Sequence, residues 1–292
     1  MRRELMDRLQ ERLFQYVGTS GLSVKDPRIL KRIESYAKRN TEIVNVKAWG
    51  NIVDISHMDP ETIVEYSVRY HFFLKQKEHF YIEEQQESRR AIFFQEDLID
   101  DQEINVDFHQ ETGSEEFLWD EVRSSKVPFI YNRMKAIQYA ERWWDSRNPR
   151  YQSFKDNCTN YISQCLRAGG APIWGSPNRG KGFWYSGSSY SYSWAVAHSL
   201  KQYLSNSKTG LRAKKVARVT DLELGDIICY DFEGDGRYNH NTIITGRDDD
   251  GMPLVNANTY DSRKRYWAYE DSSAYTPNIK YTFFHIVDDE RD

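Results

Sequence analysis

Cysteine, proline and glycine are all scarce in this chain of 292 residues, with 3, 8 and 16 copies. The three cysteines, Cys158, Cys165 and Cys229, are an odd and sparse set that excludes a disulfide framework and predicts a reducing compartment. The low Gly and Pro content excludes a collagen-like or low-complexity chain. No apolar run approaches the roughly 20 residues that cross a bilayer as a helix, so no membrane span is expected. The start, Met1-Arg2-Arg3-Glu4-Leu5-Met6-Asp7-Arg8, is basic, but charges interrupt the residues after it and no apolar h-region forms. A cytoplasmic location is the expectation, with unconventional export as the alternative. A dominant charge sign is missing too. Residues 1–130 hold 18 Lys and Arg against 25 Asp and Glu, a net of −7, and the remainder carries +3. So weak a positive balance excludes the clustered basic footprint of a nucleic-acid binder.

Aromatic residues are what the chain has in excess: 20 Tyr, 14 Phe and 8 Trp, or 14% of the sequence. Such large side chains predict a folded protein with sizeable cores, and the length suits about two domains. Fifteen tyrosines and six tryptophans follow residue 130, so charge and aromatics divide the chain at the same place.

The first part, 1–125, is predicted to be a smaller α+β domain. Leu5, Leu9, Leu13 and Val17 recur at helical spacing over 2–16, and a second helix is predicted over 27–37. Period-two strands follow at 43–55, 62–74, 80–87 and 90–95. In element order this resembles a cystatin-like curved sheet packed on a helix. The acidic stretch 97–121 is expected to be a surface connection or a partly ordered linker. The second part is predicted to carry helices over 132–144, 156–168 and 192–204, then antiparallel strands at 226–232, 241–245, 252–259, 266–269 and 280–287. Helices followed by an antiparallel sheet again give α+β.

The run Asp156-Asn157-Cys158-Thr159-Asn160-Tyr161-Ile162-Ser163-Gln164-Cys165-Leu166 puts Cys158 in the first turn of a helix, with Asp156 as its expected N-cap. Helix N-terminal N–H groups favour a thiolate, which is the nucleophilic form, so a depressed thiol pKa is expected there. The alternative is a buried, inert thiol, the reading given to Cys165 and Cys229. A thiol hydrolase also needs a base and a group that orients it. Of seven histidines, His240 alone stands between a polar loop, 233–239, and a strand. Asn256 and Asn258 share one face of the next strand, and either could orient His240, although both residues also suit a strand end entering a turn. Trp174, Trp184, Tyr185 and Trp194 are candidates for walls of a substrate groove, or for core.

From Tyr131 to Asp288 the chain resembles the amidase domain family of bacterial papain-like cysteine hydrolases, relatives of the NlpC-type and CHAP peptidoglycan hydrolases. The residues that carry the resemblance are Tyr131-Asn132-Arg133, Asn148-Pro149-Arg150-Tyr151, the run from Cys158 to Leu166 with Gly169-Gly170, Gly225-Asp226, His240 and Asn258-Thr259. The resemblance implies a papain-like domain over 131–288, with helices packed on an antiparallel sheet. It further implies a Cys158–His240–Asn258 triad, with Asp156, Asn157 and Asn256 in support. The family often has Asp directly before the nucleophile, where this chain has Asn157. The implied function is a cysteine amidase or peptidase that forms a thioester acyl-enzyme on peptide or peptidoglycan-like amides. Its oxyanion would be held by N–H groups at the helix start, including that of Cys158. The alternative is an inactive module binding peptide or glycan in the same groove. No cofactor or metal is expected. Asp231, Glu233, Asp235, Gly236 and Asn239 mimic a calcium loop, but Thr242 stands where the bidentate Glu belongs. Oligomeric state is not specified by the sequence.

Overall fold

The computed structural model describes residues 1–17, 26–104 and 127–290. It is a mixed α and β structure dominated by antiparallel sheet. Contacts divide it into two compact units, Met1–Val106 with Ala268–Tyr275, and Asp107–Trp267 with Thr276–Asp292. Most of the predicted acidic connection, 105–121, lies outside the described residues; its first part is a strand.

The first unit opens with α1 (Arg2–Val17) and α2 (Pro27–Lys38). Proline begins α2, where its missing N–H costs nothing, and the Asp26 carboxylate caps it by accepting the Arg28 N–H at 2.9 Å. Three long strands follow, β1 (Thr41–Met58), β2 (Glu61–Gln76) and β3 (His79–Phe94), with β4 (Asp97–Glu103) paired to β3. In β2 the residues Val64, Tyr66, Val68, Tyr70, Phe72 and Leu74 are buried while Glu65, Ser67, Arg69 and His71 alternate with them. That period of two gives the sheet one face to bury against the helices. The break predicted between 87 and 90 is absent, because Ser88 and Arg89 continue the ladder opposite Ser67 and Tyr66. Arg89 escapes the usual exposure of a charge by meeting Asp101 at 3.0 Å.

The predicted apolar stripe of α1 is interrupted for a related reason. Leu5 is buried, but so are Arg12 and Tyr16, while Val17 is exposed. The Glu87 carboxylate lies 3.4, 3.7 and 3.8 Å from Arg89, Arg32 and Arg12. Arg32 also reaches Asp271 at 3.0 Å and Gln85 at 2.6 Å. Helical spacing sees only apolar residues, so it misses a face buried through paired charge.

The second unit holds α3 (Arg133–Trp143), α4 (Cys158–Ala168), a small hairpin of β5 (Tyr185–Ser186) and β6 (Ser189–Tyr190), α5 (Tyr192–Ala195) and α6 (Ala197–Asn206). Its strands are β7 (Arg212–Val216), β8 (Ile227–Asp231), β9 (His240–Arg247), β10 (Pro253–Ala257), β11 (Ser262–Tyr266) and β12 (Lys280–Val287). They run antiparallel in the order β11-β10-β9-β8-β12-β7. The one helix predicted over 192–204 is two, parted by the extended backbone of Val196. β7 and β11 escaped prediction at these positions because Arg212–Val216 and Ser262–Tyr266 are basic runs without apolar alternation.

Tyr161, Ile162, Cys165 and Leu166 of α4 pack with Ala136 and Ala140 of α3 and with Cys229, Ile243, Phe284 and Ile286 of the sheet. Those strand residues mark the side of the sheet that faces the helices. Gly169 ends α4 where a Cβ would come within 2.4 Å of the Tyr131 ring. That ring is held by its hydroxyl, which donates to the Gly225 carbonyl at 2.7 Å. Asp226, fully buried, accepts from Arg133 at 2.6 Å, pairs with His285 at 2.7 Å and accepts the Ile286 N–H at 2.9 Å, tying α3 to β12.

Arg32→Ala strips Glu87, Gln85 and Asp271 of a shared cation. The expected loss is about 3–5 kcal/mol, as when one partner of a buried ion pair is removed. Urea unfolding followed by circular dichroism measures it, and a loss below about 1 kcal/mol contradicts the role assigned to the cluster.

Candidate active site

The start of α4 is held from outside the helix. Asn157, not Asp156, occupies the N-cap position, and its side chain makes no capping bond. Instead the Thr259 hydroxyl oxygen accepts the N–H groups of Asn157 at 2.8 Å and Cys158 at 3.0 Å. The Asn157 amide donates to Asn258 Oδ1 at 2.8 Å and accepts from Asn160 at 2.9 Å and from the Phe154 N–H at 3.2 Å. Thr259 adopts φ +88°, a left-handed conformation that a β-branched residue takes only under constraint.

Cys158 is 1% exposed, and its sulfur lies 3.7 Å from Thr159 Oγ1. Burial pushes its thiol above the ordinary value and the Asp156 charge adds to this, while the Thr159 hydroxyl and the Asn241 N–H act in the opposite direction. The expected depression is therefore reversed, because burial removes the solvent that stabilises a thiolate. The Cys158 N–H expected to face an oxyanion is occupied by Thr259. Cys165 and Cys229 are fully buried thiols, also pushed up by burial.

On β9 the alternation sends Asn241 and Ile243 toward the helices, where Asn241 Nδ2 donates to Thr159 Oγ1 at 2.9 Å. His240 and Thr242 take the other face. There the His240 ring lies 5.6 Å from Tyr230 and 6.1 Å from Phe232, and the Tyr230 hydroxyl meets Thr242 at 3.1 Å. The residue that β9 turns toward α4 is thus Asn241. Burial pushes His240 down to about 3, and the Arg265 charge adds to this.

Asn258 is brought to the start of α4 beside Cys158, yet both ends of its amide are committed there. Its oxygen accepts from Asn157, and its nitrogen donates to the carbonyls of Trp144 at 2.6 Å and Trp143 at 3.3 Å. Asn256 belongs to another group, accepting from Thr245 at 2.7 Å and the Lys264 N–H at 2.9 Å and donating to Glu141 at 3.2 Å. Neither amide orients His240. Sequence reasoning missed Thr259 as the cap and Asn241 as the strand's contribution. The only signal for Thr259 was its place after Asn258. Asn241 had none, since Ile243 and Ile244 are both apolar and hide which face is which.

The aromatic candidates are mainly structural. Trp184 and Trp194 are 1% and 0% exposed, with indole N–H groups donated to the Asn178 carbonyl and to Asn160 Oδ1. Trp174 and Tyr185 are half-buried, engaged with Tyr203 at 3.0 Å and the Gln152 N–H at 2.8 Å. Large rings complete the core around α4 in place of an aromatic groove. The concavity at the site is a small polar recess lined by Trp143, Arg147, Asn148, Asn157, Gln164 and Asn258 among others. Asp231 turns its carboxylate inward onto the Gly234 and Gly236 N–H groups at 2.7 and 2.8 Å. Among the described residues no cluster of three or more His, Cys, Asp or Glu could hold a metal ion.

Burial of His240 has a pH signature. At pH 5 an unfolded chain protonates this histidine, ordinarily near 6.5, while the folded protein, with its value near 3, does not. Unfolding then takes up a proton, so stability is complete above pH 6.5 and falls as pH drops toward 3. From pH 7 to pH 5 the parent is expected to lose about 2 kcal/mol more than His240→Gln. Urea titrations at the two pH values measure the difference; equal losses would contradict a buried neutral imidazole.

Residues 130–284, just over half of the chain, match the family described as "Putative amidase domain". The chain is 51% identical over 274 residues to the uncharacterized protein YhbB of Bacillus subtilis (strain 168), covering 91% of this chain and 88% of that protein. A second uncharacterized protein of that organism, YjcM, is 29% identical over 126 residues, 40% of this chain and 28% of its own. No solved structure matches. The chain belongs to the amidase domain family, whose match contains Cys158, His240, Asn258 and Thr259.

Proposed function

We propose that this protein is a cysteine-dependent amide hydrolase that attacks peptide or peptidoglycan-type amides through Cys158, by way of a thioester acyl-enzyme, in a papain-like domain. What carries the reading is Cys158 as the first residue of α4, with that helix start clamped by Asn258 and Thr259, in a chain of the amidase domain family.

The arrangement is that of a closed resting site. Attack needs the proton on the Cys158 sulfur to leave as the carbonyl carbon arrives, and a neutral imidazole is the fitting acceptor. We assign that role to His240. It is the first residue of β9, beside the loop 232–239, and a one-residue shift there exchanges the faces of His240 and Asn241. His240 would then pass the proton to the leaving amine and activate water against the thioester. Asn258 acts on the nucleophile's helix through Asn157, and Thr259 must release the Cys158 N–H before that group can donate to the oxyanion.

Burial of the thiol and the occupied Cys158 N–H favour one other reading, a non-catalytic module that binds peptide or glycan. Turnover separates the two. The parent is expected to cleave muropeptide or peptide amides, with losses of at least about a thousandfold in Cys158→Ala and about a hundredfold or more in His240→Ala. Liquid chromatography of the released amines measures this. Binding without turnover by the parent would sink the catalytic reading.

The raised thiol predicts a second outcome. Without substrate, iodoacetamide should modify Cys158 at pH 7 more slowly than it modifies free cysteine, and the rate should climb above pH 9, since the thiolate appears only at high pH. Peptide mapping by mass spectrometry tracks it; rapid modification at pH 6 would contradict the closed site.

A further inference from the structure

We infer that the protein pairs with a second copy of itself along β1 of its first unit. β1 is 18 residues long, contains no proline, and among the described residues has β2 as its one strand neighbour. A long edge strand presents a row of backbone N–H and C=O groups to any strand that matches it. This edge is also apolar: Val44, Trp49, Ile52, Val53, Ile55 and Met58 are each between 38% and 66% exposed.

The strand matches itself. When two copies run antiparallel with Gly50 facing Gly50, Trp49 stands opposite Asn51 and Ala48 opposite Ile52. The irregularity between Ile52 and Asp54 takes Val53 out of the alternation, so the next pairs are Lys47 with Asp54 and Val46 with Ile55. Members of a cross-strand pair must share a face of the sheet, and these do. Val46, Ala48, Gly50, Ile52 and Ile55 lie opposite Phe72, Tyr70, Val68, Tyr66 and Val64, on the face that β2 buries. Lys47, Trp49, Asn51 and Asp54 lie opposite His71, Arg69, Ser67 and Glu65, on the other. With Val53 kept in the alternation, Lys47 would meet Val53 and lose its partner. The two-fold axis makes each pair occur twice, as an isologous interface requires. Lys47 is exposed and has no ion-pair partner among the described residues, and the Asp54 carboxylate accepts from the Ser56 hydroxyl at 2.9 Å.

Sedimentation equilibrium of the full chain at micromolar concentration tests this. The parent is expected to be a dimer. Lys47→Asp and Asp54→Lys each turn two attractive pairs into repulsive ones and should raise the dimer dissociation constant roughly tenfold, while the double exchange restores it. Both positions are exposed, so thermal melts by circular dichroism should match the parent. A monomeric parent, a dimer unaffected by either exchange, or a double variant as weak as the single ones would each overturn the β1 pairing.

Discussion

The candidate site depends on one contact, the Thr259 hydroxyl oxygen accepting the N–H groups of Asn157 and Cys158. Helix starts carry orphan donors that are usually met by the helix's own N-cap side chain. Here Asn157 makes no such bond, and the segment after β10 supplies the acceptor. The arrangement requires Thr259 at φ +88°, a conformation costing about 1–3 kcal/mol in such a residue, so its neighbours must hold it. Asn258 does so through the Trp143 and Trp144 carbonyls, and Asp261 through Arg147 at 2.9 Å. Through this segment the end of β10 fixes where the Cys158 sulfur stands.

Electrostatics at the sulfur is governed by burial more than by the helix. A helix N-terminus favours an anion by about 0.3–1 kcal/mol, whereas full burial shifts an ionisable group by up to about 3–5 pKa units. With the first N–H groups already taken, burial prevails and the thiol stays protonated. The same balance keeps His240 neutral on the far side of β9. On the proposed function both groups are stored in the forms from which acyl transfer begins, a protonated thiol and a neutral imidazole, with Asn241 rather than His240 turned from β9 toward the helix of Cys158.

Much of this was legible in the sequence. The Cys158–Leu166 run marked the nucleophile candidate and its helix, and the alternation in Val64–Leu74 marked a sheet face. Proline and Asp26 marked the start of α2. What stayed hidden has physical reasons. Period two cannot choose a face where Ile243 and Ile244 are both apolar, so His240 was expected where Asn241 lies. Hydrophobic spacing cannot see Arg12 or Arg32, which are buried through Glu87, Asp26 and Asp271. Residue type alone could not separate a groove from a core for Trp184 and Trp194. A hydroxyl that caps a helix about a hundred residues away leaves no local trace at Thr259.

On the proposed function, Cys158 forms a covalent acyl-enzyme with an amide substrate once the resting site opens. The most direct test is acid quenching of the parent protein mixed with a muropeptide digest, then peptide mapping in a mass spectrometer. An acyl adduct is expected on the peptide containing Cys158, absent from Cys158→Ala and labile to hydroxylamine as a thioester is. Turnover of the digest with no adduct at Cys158, or an adduct on Cys165 or Cys229 instead, would contradict it.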